Sequence, residues 1–205
     1  MFKIIVITPE TNHLHEADIL HTLVLDYNCT IHIRKPNFNL AEYETYLQKY
    51  NQLLPHFVLH EHHSLAKYFP VKGIHLKESD RKSVKEILKD VKVISTSLHT
   101  IHDVKNILHG FEYFFFSPLF ESISKQNYGC NNTYEVLKET VLELNKITSI
   151  PIIGLGGINE ENIALVKNSG FDGAALLGAI WQSEEPLMTY NKIYSCLLKS
   201  RNTRE

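Results

Sequence analysis

Two glycine-ended apolar segments in the C-terminal third of the chain could bind a phosphate group. They are Pro151-Ile-Ile-Gly-Leu-Gly-Gly-Ile158 and Gly173-Ala-Ala-Leu-Leu-Gly178. Each is typical of a short strand entering a turn, where glycine lets backbone N–H groups approach an anion closely. A tight turn without a ligand is the alternative, and Asn159 is expected to cap the next helix. Because two such turns follow each other, we predict a phosphate site formed by Gly156, Gly157, Leu177 and Gly178.

A second group of residues could bind a more highly charged anion. Arg34 and Lys35 follow one predicted strand, and Ser122, Ser124 and Lys125 follow another. Arginine forms paired hydrogen bonds with phosphate oxygens, whereas lysine acts as a point charge. Each residue alone is typical of a solvated surface. Together they predict a second anion site at the ends of the strands.

Two carboxylates, Glu61 and Asp80, each follow a predicted strand and could hold a magnesium ion. Mg²⁺ prefers one or two carboxylates together with phosphate oxygens of the substrate. Asp80 also stands where a helix N-cap belongs, so helix capping is its alternative role. The sequence therefore predicts a Mg²⁺ site without excluding a purely structural Asp80.

Twelve histidines make a metal or proton-transfer site worth testing. His60-Glu-His-His63 lacks the i, i+4 pair that places two imidazoles on one helical face, which argues against a zinc site in that segment. The segment Ser97-Leu-His99 follows the predicted strand Val91–Ser95. A histidine there could transfer a proton near neutral pH, and a structural role is the alternative.

Strand-like and helix-like segments alternate along the chain, which favours a parallel sheet covered by helices. Eight such units predict a (β/α)₈ TIM barrel, with residues 1–205 as one compact domain and the site at the C-terminal ends of the strands. The predicted strands are Lys3–Thr8, Thr30–Arg34, His56–His60, Lys72–Leu76, Val91–Ser95, Tyr113–Phe116, Pro151–Gly154 and Gly173–Leu177. The predicted helices are Asp18–Leu25, Leu40–Leu53, Ser64–Phe69, Asp80–Leu88, Thr100–Leu108, a helix from Asn132 or Thr133 to Lys146, and Glu185–Lys199.

Net charge, apolar runs and cysteine spacing limit the classes of protein and of partner that fit this chain. The net charge of -2 gives no reason to expect nucleic-acid binding, and the apolar runs are too short to span a bilayer. Three widely spaced cysteines, Cys29, Cys130 and Cys196, fit reduced thiols in the cytoplasm better than a disulfide framework. We expect small phosphorylated molecules as partners, and a homo-oligomer is left open.

Nearly the whole chain resembles the superfamily of thiamine phosphate synthases and thiazole tautomerases. Ser117-Pro-Leu-Phe-Glu-Ser-Ile-Ser-Lys125 is similar to the synthase loop, with serines in place of two threonines. The segment Pro151–Ile158 is similar to the family's glycine-pair strand. Gly73-Ile-His-Leu76 with Asp80, and Ser97-Leu-His99, resemble two further family segments.

The resemblance implies a transferase of thiamine biosynthesis. A pyrimidine diphosphate loses pyrophosphate with the help of Mg²⁺, and the nitrogen of a thiazole phosphate captures the resulting cation. Arg34 and Lys125 would then hold the diphosphate, and Asp80 and Glu61 the metal. Ser122 and Ser124 would donate to substrate, and Gly157 with the Leu177–Gly178 amides would bind the thiazole phosphate. Lys35, His60, Ser97 and His99 complete the predicted site.

Several positions differ from the synthase pattern: His32, Pro36, His60, Glu61 and Lys77. A tautomerase acting on a thiazole carboxylate phosphate is therefore a second hypothesis. That branch carries an acid/base histidine where this chain has Pro118, so His99 or His60 would have to act instead. A phosphate-binding barrel without catalysis is the third hypothesis.

Overall fold

The structure, a computed structural model, describes residues 2–83, 91–105, 110–121 and 132–199. In these ranges eight parallel strands follow one another in chain order and form a closed barrel, which confirms the predicted (β/α)₈ architecture. They are β1 Lys3–Ile7, β2 Thr30–Ile33, β3 Phe57–Leu59, β4 Gly73–Leu76, β5 Val93–Leu98, β6 Tyr113–Phe116, β7 Ile152–Leu155 and β8 Gly173–Leu176.

The contacts within the chain define two compact units. The first, called here the N-terminal unit, comprises Ile5–Thr96 and His109–Glu112. The second, the C-terminal unit, comprises Met1–Ile4, Ser97–Leu108 and Tyr113–Glu205.

In the N-terminal unit, helices α1 and α2 cover the first strands. Helix α1, Glu16–Leu25, buries Ile19, Leu20, Leu23 and Val24 along one apolar face. Helix α2, Leu40–Lys49, begins with a capping box between Asn39 and Glu42.

From the end of α2 onward, the helical segments of the N-terminal unit differ from the predicted ones in length and type. The predicted Leu40–Leu53 helix stops at Lys49, and the chain continues as a 3₁₀ helix, Asn51–His56, which contains Pro55. Another 3₁₀ helix spans His63–Lys67. The predicted Asp80–Leu88 helix is replaced, as far as it is described, by the 3₁₀ helix Glu78–Ser83. Residues 84–88 of that prediction lie outside the described residues.

The strand register of the N-terminal unit shows where three buried polar side chains lie. Ile7 lies opposite His32, and His32 lies opposite Val58. His75 of β4 lies opposite Ser95 of β5. His32, His75 and Ser95 are all buried, so these three strands carry polar groups at positions that in such barrels are usually filled by branched apolar residues.

In the C-terminal unit, the two longer helices bury apolar stripes. They are α4, Tyr134–Ile147, which is capped by the Thr133 side chain, and α7, Pro186–Lys199, which buries Tyr190, Ile193 and Leu197. The shorter helices are α3 Ile101–Lys105, α5 Ile163–Asn168 and α6 Gly178–Trp181. Helices α5 and α6 were not predicted, because four to six residues are too few to show a helical period.

Two local predictions in the C-terminal unit are wrong. Asn159 does not cap α5, because Asn162 directly precedes that helix and its side chain bonds to the backbone of Asn159 and Gly157 instead. Strand β5 extends to Leu98, so Ser97 belongs to the strand and His99 is the first residue after it. Within the described part of the chain, no helix combines the length and apolar character needed to cross a membrane.

Candidate active site

Glu61 and Asp80, the predicted metal ligands, both follow strands of the N-terminal unit. Glu61 Oε2 accepts a hydrogen bond from the backbone N–H of Lys35 at 3.1 Å. Its Oε1 is buried and has no hydrogen-bond partner among the described residues, although the Lys77 ammonium forms an ion pair with it at 3.4 Å. A buried carboxylate oxygen with an unused lone pair is the kind of atom that a cation would satisfy.

Asp80 lies inside the 3₁₀ helix rather than at its cap. Its backbone N–H donates to the Lys77 carbonyl, and its Oδ1 accepts from the Ser79 hydroxyl at 2.9 Å. Burial lowers the pKa of His63, and the carboxylates of Asp80 and Glu61 both oppose that shift, so both lie within electrostatic range of the same imidazole. The two predicted ligands therefore share one neighbourhood.

Arg34 follows β2, as predicted, and its guanidinium pairs with the Glu10 carboxylate. The Arg34 side chain is 34% exposed and that of Glu10 is 52% exposed. An exposed ion pair of this kind contributes only about 0–1 kcal/mol. Arg34 could therefore exchange Glu10 for a phosphate at little cost.

Lys35, predicted to bind substrate, forms a buried ion pair. Its ammonium is fully buried and bonds to Glu16 Oε2 and to the Thr11 carbonyl, each at 2.9 Å. Glu16 is held in turn by the Tyr46 hydroxyl at 2.6 Å. Burial lowers the pKa of Lys35, and the Glu16 carboxylate opposes this shift. The charge of Lys35 is thus paired inside the protein, and its binding of substrate stays a prediction.

His60, predicted to bind substrate, belongs to a buried group of three imidazoles. His60 Nε2 lies 2.8 Å from His32 Nδ1, and its ring stacks on that of His75 with centroids 4.2 Å apart. His75 Nδ1 lies 2.8 Å from the Ser95 hydroxyl. We call His32, His60 and His75 the histidine cluster. One candidate ligand nitrogen from each lies within 4.8 Å of the others.

The histidine cluster is held neutral by its surroundings. Burial lowers the pKa of His75 to about 3, and nearby positive groups add to the shift. Burial, followed by the repulsion that a protonated His75 would exert, also lowers the pKa values of His32 and His60 well below the usual range. Charging an imidazole in this interior is costly because it is removed from water and faces other positive groups.

In the C-terminal unit, Ser97 is half-buried on β5 and His99 is exposed directly after it. His99 Nδ1 lies 2.9 Å from the Ser117 carbonyl oxygen. A carbonyl can only accept, so Nδ1 carries the proton and Nε2 is the acceptor nitrogen. The Asp103 carboxylate accepts from the backbone N–H of His99 at 2.8 Å and fixes the turn. His99 is therefore oriented as a proton acceptor.

Gly156 and Gly157 have φ angles of +101° and +64°, which disfavour other residues. An added β-carbon at Gly157 would lie 2.4 Å from the Glu121 carbonyl oxygen, and one at Gly156 would lie 3.1 Å from Pro118 Cα. The glycine pair is thus required for close packing against the segment after β6. Phosphate binding by this pair stays a prediction.

The turn after β8 carries Leu177 and Gly178 at the start of the short helix α6. The first N–H groups of a helix have no partners within the helix, so they are available to other acceptors. In barrels of this class a short extra helix after the last strand often helps to bind phosphate. The predicted residues Ser122, Ser124 and Lys125 lie outside the described residues.

Sequence reasoning missed two features of the N-terminal unit. The histidine cluster was not predicted, because its members are far apart in the chain and only adjacent strands bring them together. Histidines at inward positions of otherwise apolar strands are the sequence signal that could have identified it. Lys77 was noted only as a departure from a pattern, although it lies beside Glu61.

Comparisons with known proteins agree with this architecture. Residues 5–180 match the family model described as thiamine monophosphate synthase. A thiamine-phosphate synthase of Clostridium tetani is 25% identical over 177 residues, covering 82% of this chain and 81% of the relative. A crystal structure of thiamine phosphate pyrophosphorylase from Bacteroides thetaiotaomicron is 28% identical, covers 100% of both chains and has a TM-score of 0.71.

The match with some relatives is partial. A thiamine-phosphate synthase of Prochlorococcus marinus is 26% identical over 155 residues, which cover 74% of this chain but only 42% of that protein. The family match itself runs from β1 into α6. The chain therefore belongs to the thiamine monophosphate synthase family.

Proposed function

We propose that this protein is a transferase of thiamine biosynthesis, in which residues 1–205 act as one catalytic domain. It joins a hydroxymethylpyrimidine diphosphate to a thiazole phosphate and releases thiamine phosphate and pyrophosphate. The observation that carries the proposal is the family match over residues 5–180, which includes the carboxyl ends of all eight strands. In the reaction the carbon–oxygen bond to the diphosphate breaks, and a bond from the same carbon to the thiazole nitrogen forms.

Glu61 and Asp80 are the residues that we propose to hold Mg²⁺. The buried, unbonded Oε1 of Glu61 and the half-buried Asp80 carboxylate supply the hard oxygen ligands that this ion requires. Bound there, Mg²⁺ would neutralise charge on the departing pyrophosphate. The extra methylene of a glutamate, compared with the aspartate usual in the synthase, is compatible with this role because the Lys35 N–H fixes its other oxygen.

Arg34 is the proposed diphosphate ligand, and Lys77 replaces Lys35 as the second cation. The Arg34 guanidinium can leave Glu10 for a phosphate, because both partners of that pair are exposed to solvent. The Lys77 side chain is 53% exposed and its ammonium already lies beside Glu61. Their combined charge would stabilise the diphosphate as it leaves, which is the main electrostatic demand of such a displacement.

The thiazole phosphate would bind at the two glycine turns of the C-terminal unit. Gly157, with its positive φ, and the N–H groups of Leu177 and Gly178 are the proposed donors. Gly156 positions this turn through its close approach to Pro118. No side-chain cation is needed where several backbone N–H groups converge on one phosphate.

The remaining roles are proposed from the family resemblance. Lys125 would bind the diphosphate, and Ser122 and Ser124 would donate to substrate. Ser97 and the acceptor nitrogen of His99 would contact the reacting groups, and His60 would line the substrate site. We place the reaction in the cytoplasm, where free thiols such as those of Cys29 and Cys196 stay reduced.

A direct assay tests the transferase. The purified protein is incubated with the pyrimidine diphosphate, the thiazole phosphate and Mg²⁺, and thiamine phosphate is measured by chromatography. We expect a product that depends on both substrates and disappears with excess chelator. Absence of product above the enzyme-free background would refute the proposal, and turnover of thiazole carboxylate phosphate alone would favour a tautomerase.

Asp80→Asn separates the metal role from a structural role. Loss of a metal-binding carboxylate should lower Mg²⁺-dependent turnover at least about tenfold, since even outer-shell changes cost that much. Binding of the thiazole phosphate, measured by calorimetry, should stay unchanged. Asp18→Asn, an exposed carboxylate on α1, is the matched control. Equal loss of turnover and of thiazole phosphate binding in Asp80→Asn would show that Asp80 supports the fold instead.

A further inference from the structure

The interior of the N-terminal unit contains three imidazoles where an apolar layer is expected. His32 on β2, His60 after β3 and His75 on β4 are 0%, 7% and 3% exposed. Branched aliphatic side chains usually fill the inside of such a barrel. One ligand nitrogen from each ring lies within 4.8 Å of the others, which is close enough for a single ion to bind all three.

The ligand chemistry follows from the donor set. Neutral imidazole nitrogens are borderline-soft ligands that suit zinc, cobalt, nickel and copper, whereas magnesium and calcium prefer oxygen. Three histidines with one further position open are a known arrangement for a zinc ion. We propose that His32, His60 and His75 bind a divalent transition-metal ion of the zinc and cobalt class.

The distances require only small movements. A tetrahedral ion with metal–nitrogen bonds of about 2.0–2.1 Å holds its nitrogen ligands about 3.3–3.4 Å apart. His32 Nδ1 and His60 Nε2 are 2.8 Å apart, and all three candidate nitrogens lie within 4.8 Å of one another. The His32–His60 pair must therefore open slightly, and no pair exceeds the required spacing by more than about 1.5 Å.

Binding would rearrange two contacts of the metal-free cluster. The ion would replace the proton now shared by His32 and His60. The rings of His60 and His75 are nearly parallel, with an angle of 14° between their planes. Because the nitrogen lone pairs lie in the ring planes, one of these rings must tilt toward the ion.

Ser95 supplies the outer support that metal-binding histidines usually have. Its hydroxyl lies 2.8 Å from His75 Nδ1, so Nε2 is the nitrogen that His75 would direct to the ion. Ser95 sits opposite His75 in the β4–β5 register, and His32 is fixed on β2 between β1 and β3. Ligands placed on paired strands keep their relative positions better than ligands on loops.

The first test measures metal binding without substrate. The full chain is stripped with chelator, dialysed and titrated with Co²⁺, whose visible absorption reports coordination number and geometry. We expect one Co²⁺ per chain with a four-coordinate spectrum, displaced by Zn²⁺ and not by excess Mg²⁺. Lack of stoichiometric binding, or displacement by Mg²⁺, would overturn the proposal. The test is independent of the transferase assay because no substrate is present.

Variants assign the site to these residues. His75→Gln and His32→Gln should abolish stoichiometric Co²⁺ binding, while Ser95→Ala, which keeps all three ligands, should weaken it about tenfold to a hundredfold. His102→Gln, an exposed histidine on α3, is the matched control and should bind as the unaltered protein does. Circular dichroism checks folding, and Ser95→Ala keeps the test decisive if a histidine variant fails to fold. Unchanged affinity in Ser95→Ala and in a folded histidine variant would refute the assignment.

Discussion

The histidine cluster makes the stability of the protein sensitive to mild acid. An unfolded histidine has a pKa of about 6.5, whereas in the folded protein burial lowers the pKa of His75 to about 3. Between these values the unfolded chain binds a proton that the folded chain rejects. The contribution of His75 to the free energy of unfolding is therefore fully present above about pH 6.5. It is lost progressively as the pH falls toward about 3.

The size of the effect follows from the shift. One proton bound on unfolding corresponds to about 1.4 kcal/mol for each pH unit, so His75 alone should cost about 2 kcal/mol of folding free energy at pH 5. The lowered pKa values of His32 and His60 act in the same direction. A domain with a typical stability of about 5–15 kcal/mol would lose a large share of it before its carboxylates titrate.

Urea unfolding of the chelator-treated protein at several values between about pH 7.5 and 5 measures this dependence. Between pH 7.5 and 5 the loss of folding free energy should be smaller in His75→Gln than in the unaltered protein, by about 2 kcal/mol in total. His102→Gln, with its exposed imidazole, should keep the full loss. Equal losses for the unaltered protein and a folded His75→Gln would show that His75 is not the neutral, buried group described here.

Two further changes test the packing around the candidate site. Glu16→Gln should lower the free energy of unfolding by about 3–5 kcal/mol, because it leaves the buried Lys35 ammonium without its carboxylate. Chemical denaturation measures this free energy. Asp18→Asn on the same helix is the control and should change it by less than about 0.5 kcal/mol. Gly157→Ala should lower the melting temperature, because its β-carbon would lie 2.4 Å from the Glu121 carbonyl at a φ of +64°. Gly178→Ala is the control, since its β-carbon would lie 3.6 Å from the flexible Gln182 side chain. Similar melting temperatures for the two alanine variants would contradict the packing role of Gly157.

The sequence predicted the barrel because strand formation leaves a local pattern. Segments such as Tyr113–Phe116 are short, apolar and bounded by turn residues, and this strand has the predicted bounds. Helices α5 and α6 were missed because Ile163–Asn168 and Gly178–Trp181 each span fewer than two turns. Periodicity cannot be read from so few residues.

The candidate site was less predictable because its contacts are made across the fold. The sequence shows that Lys35 follows a strand, but not that Glu16, 19 residues earlier, meets its ammonium inside the unit. The histidine cluster depends likewise on which face of β2 and β4 points inward, and one residue of register would reverse that direction. Residue types predicted the chemistry, whereas tertiary packing decided which side chains remain available for it.

Lys35 illustrates how a residue that is not a ligand can still determine a site. Its side chain is tied to Glu16 on α1, while its backbone N–H donates to Glu61 Oε2. The ion pair thus fixes the backbone that orients Glu61, and the other carboxylate oxygen is left beside Lys77. A surface lysine at position 35 could bind an anion but would give Glu61 no fixed donor. The buried pair therefore supports the proposed metal ligand, and the charge proposed to bind the diphosphate is that of Arg34 and Lys77.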